Sequence, residues 1–277
     1  MPWTENTRPQ YDRRGLRYAS DCTDEEWALI EPFLRRTSKV GRPCKWPMRE
    51  IFNAVLYMAA TGCQWALLPK DFPPFTTVQY HFYRWRDAGM LDLINAALVE
   101  ASRLVSGSDA APSAAIIDSQ SVKTTESGGV CGYDAGKKVK GRKRHVITDT
   151  QGNLLWCVVH SASIQDRDGA PGLIAMAQDI FLQVLFADGG YAGNKLQTAL
   201  QAMQGPRLQI VRRPQKAKGF VVIAKRWVVE RTFAWLGRCH RLAKDWEKRL
   251  ASSEAWLLIA SIRRQMRFLV KASSSKT

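Results

Sequence analysis

Acidic side chains are scarce where the chain is most basic. Residues 205–277 hold 4 Asp and Glu against 18 Lys and Arg, a net +14 out of +16 for all 277 residues. Residues 1–112 and 113–204 each carry only +1. An excess so localised is a surface for a polyanion, nucleic acid or an anionic membrane, rather than a device for solubility. None of the six cysteines forms a Cys-x-x-Cys pair, which argues against a zinc finger or ribbon. Cys157-Val-Val-His160 is half of a metal site with no second half and reads as strand interior. A chain this long needs no disulfide staples, so reduced cytosolic thiols are expected. The N-terminus, MPWTENTRPQYDRR, lacks the apolar stretch of a signal peptide. The charge-free run from Ile51 to Pro69 is interrupted by Asn53, Thr61, Gly62 and Gln64. Ile51, Phe52, Val55, Leu56 and Ala59 follow a helical stripe, so a buried helix and a turn are expected rather than a membrane span.

Hydrophobic residues make up 45% and charged residues 24%, a balance that supports a packed core and excludes wholesale disorder. Residues 1–20 read as a flexible arm. Thr23-Asp-Glu-Glu26 before Trp27 is a capping box, and helices are expected over 48–61, 76–88 and 91–105. Ser106–Ser113 (SGSDAAPS) reads as a linker, closing a helical N-terminal domain over 21–105. After it the pattern turns to short β runs: 114–117, a hairpin from 145–148 and 154–160, then 183–187 and 208–211. Helices are expected at 169–181 and 195–203, and a long helix from about residue 225, broken near 249–253. The expected fold class is therefore α/β, a mixed sheet flanked by helices over 114–277, preceded by an all-helical domain.

Two apolar runs end in aspartate, Ala-Ala-Ile-Ile-Asp118 and Val-Leu-Phe-Ala-Asp188. A carboxylate just past a strand's carboxyl end sits on the sheet rim, where α/β domains place their sites. Ser119, Gly189 and Gly190 leave room for a phosphate and a metal. Strand-end aspartates also arise from turn chemistry alone. The third acid, Glu230, lies one helical turn after Arg226, a spacing that by itself reads as a surface ion pair. Yet it stands alone in a basic helix beside Val228, Val229, Phe233 and Trp235. Three carboxylates from two strand ends and a helix can hold two divalent cations, Mg²⁺ with Mn²⁺ as a substitute, suited to in-line phosphoryl displacement. Asp149, Asp166 and Asp168 are rival acids, read as a turn residue and helix-cap residues.

IIDSQSVKTTESGG, GYDAGKKVKGRKRH, ADGGYAG and the block from Arg226 to Glu247 together resemble the core of bacterial insertion-sequence DDE transposases, the group typified by insertion sequence five. TDEEWALIEPFL and GCQWALLPKDFPPFTTVQYHFYRW resemble that group's helical N-terminal domain, and the likeness covers about residues 20–250. The resemblance implies a ribonuclease-H-like catalytic domain, with Asp118, Asp188 and Glu230 as its catalytic and metal-binding acids. The group's Arg-x-x-x-Glu signature falls on Arg226 and Glu230. Two positions depart from it: Ile223 stands where a Tyr is expected, and Gly237, beside Arg238, where a Lys is expected.

The basic run Lys137, Lys138, Lys140, Arg142, Lys143, Arg144 and His145 reads as a phosphate-gripping hairpin or as a merely solvated one. Lys123, Arg226, Arg231 and Arg238 are further candidate DNA contacts. Arg207, Arg212, Arg213, Lys216, Lys218 and Lys225 extend the basic surface, and Trp235 reads as core or as a stacking wedge. No tyrosine follows Tyr191, which removes the usual arrangement of a tyrosine recombinase, and Ser119 has no nearby histidine base in the sequence. The expected function is metal-dependent cleavage at transposon ends and transfer of the 3′-hydroxyl strand to target DNA. The expected partners are double-stranded DNA (terminal inverted repeats and target) and a second copy of the chain, with no membrane. The place of action is the cytoplasm, at the nucleoid when bound. An inactive or regulatory DNA-binding relative and a nuclease of the same fold are the rival readings.

Overall fold

The computed structural model describes residues 12–35, 45–126, 128–176, 182–211 and 226–274. Four helices come first: α1 (Asp24–Leu34), α2 (Met48–Thr61), α3 (Phe75–Asp87) and α4 (Met90–Val105). Thr23 caps α1, and Glu26 returns the bond to complete the box, satisfying N–H groups that a helix start leaves open. α2 ends where Gly62 turns left-handed at φ 72°, a conformation that glycine enters without a Cβ penalty. The charge-free stretch is this buried helix followed by a turn segment from Gly62, and no helix among the described residues is long and apolar enough to cross a membrane.

The sheet is built from β1 (Ala114–Lys123), β2 (Gly132–Asp134), β3 (Val139–Asp149), β4 (Leu154–Ser161), β5 (Val184–Ala187) and β6 (Arg207–Ile210). Its order is β4-β3-β1-β5-β6, with β2 pairing the start of β3. β3 runs antiparallel to β1 and β4, while β1, β5 and β6 are mutually parallel. α5 (Asp166–Ala175) and α6 (Asn194–Ala202) follow β4 and β5, and α7 (Arg226–Leu236) and α8 (Leu250–Ser274) close the chain.

Strand alternation divides the packing between two faces. Ile116, Val146 and Phe186 belong to the larger core with α1–α4, α7 and α8. Their neighbours Ala115, Ile117, Ile147, Leu185 and Ala187 join α5 and α6 on the other face. The larger core runs across the expected linker. Phe82 of α3 stacks on Trp256 of α8 with centroids 4.5 Å apart, a pair worth about 1 kcal/mol beyond its area. Buried polar bonds add to the join, from Asn95 to the Leu154 carbonyl at 2.9 Å and from Arg103 to Asp149 at 2.7 Å. The composition change at 106–113 thus separates helical from β-bearing sequence without separating their cores.

Three expectations about local structure are corrected. The first apolar run does not stop at Asp118; β1 continues to Lys123, with Asp118 opposite Val146. The polar residues after Asp118 stay extended because β3 pairs them through to Gly141. The long helix expected from residue 225 breaks after Leu236, and a turn segment ending at Arg249 precedes α8. The helix expected over 169–181 begins earlier, at Asp166, and residues 177–181 lie outside the described ones.

Candidate active site

β1 and β5 are parallel neighbours with Ile116 opposite Phe186. Asp118 and Asp188 each lie two residues further on, so they come level at the same end of the sheet. The period of two puts them on the face of Ile116 and Phe186, where α7 packs. Asp188 also accepts the Gly190 N–H at 2.8 Å, capping a 3-10 turn that redirects the chain. Arg226, the first residue of α7, places its guanidinium 3.8 Å from Asp188 and 3.6 Å from Glu230. Asp118 and Asp188 therefore lie level at one end of one sheet face, and Arg226 stands between Asp188 and Glu230.

Burial pushes the Asp118 carboxyl up to about 6, and the negative charge of Asp188 adds to it, against the lowering effect of the Ser119 N–H bond at 2.7 Å. A cation beside Asp118 would relieve both effects. The donors are all carboxylate oxygens, as a hard cation requires. Among the described residues, no three His, Cys, Asp or Glu side chains are gathered closely enough to hold an ion as they stand. Glu230 is 57% exposed and, among the described residues, held by its long contact to Arg226.

The opposite face carries a layer that sequence reading assigned to other roles. Asp166 is not the cap of α5, which is Gln165. It accepts Ser119 Oγ–H at 2.7 Å and pairs with Lys143 at 2.7 Å. Burial would raise its pKa, but these two bonds prevail and lower it. A Cβ added to Gly190 would lie 3.0 Å from Asp188 Oδ1 and 3.6 Å from Asp166 Oδ2, so Asp166 borders the site. Beneath it His160 Nδ1 meets the Ser161 carbonyl at 2.9 Å, His145 Nδ1 meets His160 Nε2 at 3.1 Å, and Tyr191 OH meets His145 Nε2 at 2.5 Å. A carbonyl only accepts, so with both rings neutral His160 donates from Nδ1, His145 donates to His160, and Tyr191 donates to His145. Burial and the neighbouring His160 hold His145 down at about 3, which keeps its ring neutral. The composition contains these residues, but only the pairing of β3 with β1 and β4 brings them together.

The basic run divides by strand geometry. Lys137, Lys138 and Lys140 are exposed on the β2–β3 hairpin, and Lys137 Nζ donates to the Ser119 carbonyl at 2.8 Å, beside Asp118. Arg142, Lys143 and Arg144 are buried, with 0%, 3% and 3% of their surface exposed. They form neither a phosphate-gripping nor a solvated surface, because both faces of β3 are covered. Arg142 and Arg144 point to the segment before α8, bonding Asp245 at 2.8 Å and the Leu242 carbonyl at 2.7 Å. Lys143, on the other face, bonds Asp166 and the Ile164 carbonyl. Lys123 is exposed at the far end of β1, about 16 Å along an extended strand from Asp118 and on the opposite face, out of step with the phosphate contact expected of it. Arg231 lies over the rings of Trp227 and Trp235 at 4.3 and 4.4 Å. Arg207 and Arg238 are exposed, whereas Arg212, Arg213, Lys216, Lys218, Ile223 and Lys225 lie outside the described residues.

A family model described as "Transposase DDE domain" matches residues 109–263, and one described as "Putative transposase of IS4/5 family" matches residues 22–95. The chain is 31% identical over 93 residues to "Uncharacterized protein y4sN" of Sinorhizobium fredii, covering 34% of this chain and 70% of that protein. It is 29% identical over 126 residues to "Putative transposase for insertion sequence element IS402" of Burkholderia cepacia, covering 42% of this chain and 59% of that protein. No solved structure matches the chain. The first family model takes in all six strands, Asp118, Asp188, Arg226 and Glu230, and the chain belongs to the transposase DDE-domain family.

Proposed function

We propose that the chain cuts DNA at the ends of a transposable element and joins the freed 3′-hydroxyl strand to target DNA, with Asp118, Asp188 and Glu230 as its working acids. The observation that carries this is the level placement of Asp118 and Asp188 on adjacent parallel strands, with Arg226 and Glu230 brought to them by α7. The strand order, with β3 alone antiparallel among the strands flanking β1, supports a ribonuclease-H-like catalytic domain.

Asp118 and Asp188 would hold Mg²⁺ or Mn²⁺, with Glu230 completing the set by giving up Arg226. When bound, two such ions stabilise the attacking and leaving oxygens of an in-line displacement at phosphorus. Arg226, released from Glu230, is placed to contact a phosphate oxygen through its planar fork. Lys137, whose ammonium sits beside Asp118, offers a second positive charge to the same phosphate. Lys143 and Ser119 fix Asp166 so that its charge stays at the border of the site. Double-stranded DNA, as terminal inverted repeats and as target, is the substrate, and two ends held together call for a dimer or larger assembly. The reaction takes place in the cytoplasm, at the nucleoid.

The test is strand cleavage of a duplex carrying the element's terminal repeat, comparing wild type with Asp188→Asn in Mg²⁺ and in EDTA. Mg²⁺-dependent cutting, lost in the variant while DNA binding persists, supports the reading. Equal cutting by the variant removes Asp188 from the site. Binding without cutting by wild type favours a DNA-binding relative whose Arg226 keeps Glu230 from the other acids. Cutting without strand joining favours a nuclease.

A further inference from the structure

α8 buries one face and turns an arginine stripe outward: Arg263, Arg264 and Arg267 recur at the three- and four-residue spacing of a helix surface. α7 contributes Trp227, Arg231 and Trp235 at spacings of four, and Arg238 follows in the turn after it. Where the two helices meet the segment before α1, they enclose an open groove of about 970 Å³ lined by Arg231, Trp235, Arg238, Arg263, Arg264 and Arg267. Asp118, Asp188 and Glu230 are not in its wall. Along α7, Trp235 stands about 14 Å from Arg226, which contacts Asp188 and Glu230.

Among the described residues, the arginines that α7, the turn after it and α8 give to the groove have no acid of their own. Of the two acids in the wall, Asp12 is paired with Arg14 at 2.6 Å and Glu26 with Arg13. The nearby Asp149 is taken by Arg103. Among the described residues, none of the five wall arginines Arg231, Arg238, Arg263, Arg264 and Arg267 forms an ion pair. They are held instead by weaker partners. Arg231 donates to the Gln151 carbonyl at 2.8 Å, Arg264 to Asn153 Oδ1 at 3.1 Å, Arg267 to the Ala19 carbonyl at 3.0 Å, and Arg263 to Cys239 Sγ at 3.8 Å. The Nε groups of Arg231 and Arg263 are buried without a partner. Burial lowers Arg264 and Arg267 to about 10, and the like charges of Arg231 and Arg263 add to it. A row of guanidinium groups crowded together with their acids elsewhere is a site short of anions.

Resting on the transposase reading above for the identity of the polyanion, we propose that this groove is a second DNA site, separate from the carboxylates, that binds the phosphodiester backbone without reading bases. The aromatic rings argue for backbone rather than base contacts. Trp235 has Arg231 and Arg264 within 4.4 and 3.9 Å of its ring centre, so its faces serve to orient guanidinium groups and are not open to a stacked base. Arginines held in plane in this way bind phosphate with little further loss of side-chain freedom.

The test is fluorescence anisotropy of two labelled duplexes of unrelated sequence, titrated over a range of salt in EDTA, where no cutting confuses the signal. The variants are Arg238→Gln, an exposed position that leaves the core untouched, and the double Arg263→Gln/Arg267→Gln. Arg84→Gln, exposed on α3, is the control for bulk charge. The slope of log affinity against log salt should become shallower by about 1 for Arg238→Gln and about 2 for the double variant, equally for both sequences. Arg84→Gln should leave it unchanged. If the double variant fails to fold, Arg238→Gln decides alone. Wild-type slopes in the groove variants, slopes equally altered by Arg84→Gln, or a loss confined to one sequence would overturn the groove site while leaving the cleavage reading intact. Wild type that binds neither duplex would overturn both.

Discussion

Arg142 and Asp245 meet 2.8 Å apart with neither side chain reaching solvent. Arg142 also donates to Ser253 Oγ and to the carbonyls of Val130, Glu247 and Lys248. One guanidinium thus ties β3 to the segment that launches α8, the helix on which the larger core is built. Arg142→Met should strand the Asp245 carboxylate and cost about 3–5 kcal/mol in urea unfolding. Lys140→Gln, two residues earlier on the surface, should stay within about 0.5 kcal/mol of wild type. Equal losses from the two would contradict this division of the basic run.

Asp118 gives a stability effect of definite sign. Its carboxyl is raised from 3.8 to about 6, so ionisation costs more in the folded than in the unfolded protein. The favourable contribution is fully present below about pH 4 and is lost as pH rises through 6. Asp118→Asn should therefore stabilise the metal-free protein at pH 8 by on the order of 1–3 kcal/mol, and by much less at pH 4. Mg²⁺ should raise the melting temperature of wild type at pH 8 and not that of the variant. A variant that melts below wild type at pH 8 would refute the assignment.

Asp134 acts in the opposite sense. Burial would raise it, yet the Ser121 hydroxyl at 2.6 Å, the Lys137 N–H at 3.0 Å and Lys143 at 3.3 Å bring it down to about 2. Its contribution is present above about pH 4 and is lost as pH falls through 2. Asp134→Asn should remove about 2 kcal/mol at pH 7 and flatten the acid limb of the stability curve. An acid limb identical to that of wild type would exclude this residue as its source.

Gly169 lies where α5 crosses the histidine pair. An added Cβ would stand 2.6 Å from His160 Nε2 and 2.8 Å from His145 Nδ1, forcing apart the bond that links the two rings. Gly169→Ala should destabilise by about 1–3 kcal/mol and reduce cleavage by moving the layer beneath Asp118. Gly172→Ala, on the same helix with open space around it, is the comparison, and it should leave cleavage unchanged.

The sequence by itself determined the class of elements, the buried helix α2 and the concentration of charge in the last quarter, and it singled out Asp118 and Asp188, which come level on adjacent strands. Apolar runs, capping residues and helical spacing are local signals, and those features are local. Only the tertiary structure decided which charges meet solvent. In β3, Lys140 and Arg142 differ by two residues and look alike in a basic run, but one lies outside and the other beneath α8. The same holds for Asp166, a helix-cap acid by sequence and a neighbour of Asp188 once β1, β3 and α5 pack. It holds too for the arginines of α7 and α8, which form a groove only because the two helices lie side by side. A strand's alternation fixes which residues share a face, but what covers that face comes from chain about 100 residues away, and burial of a charge depends on that cover.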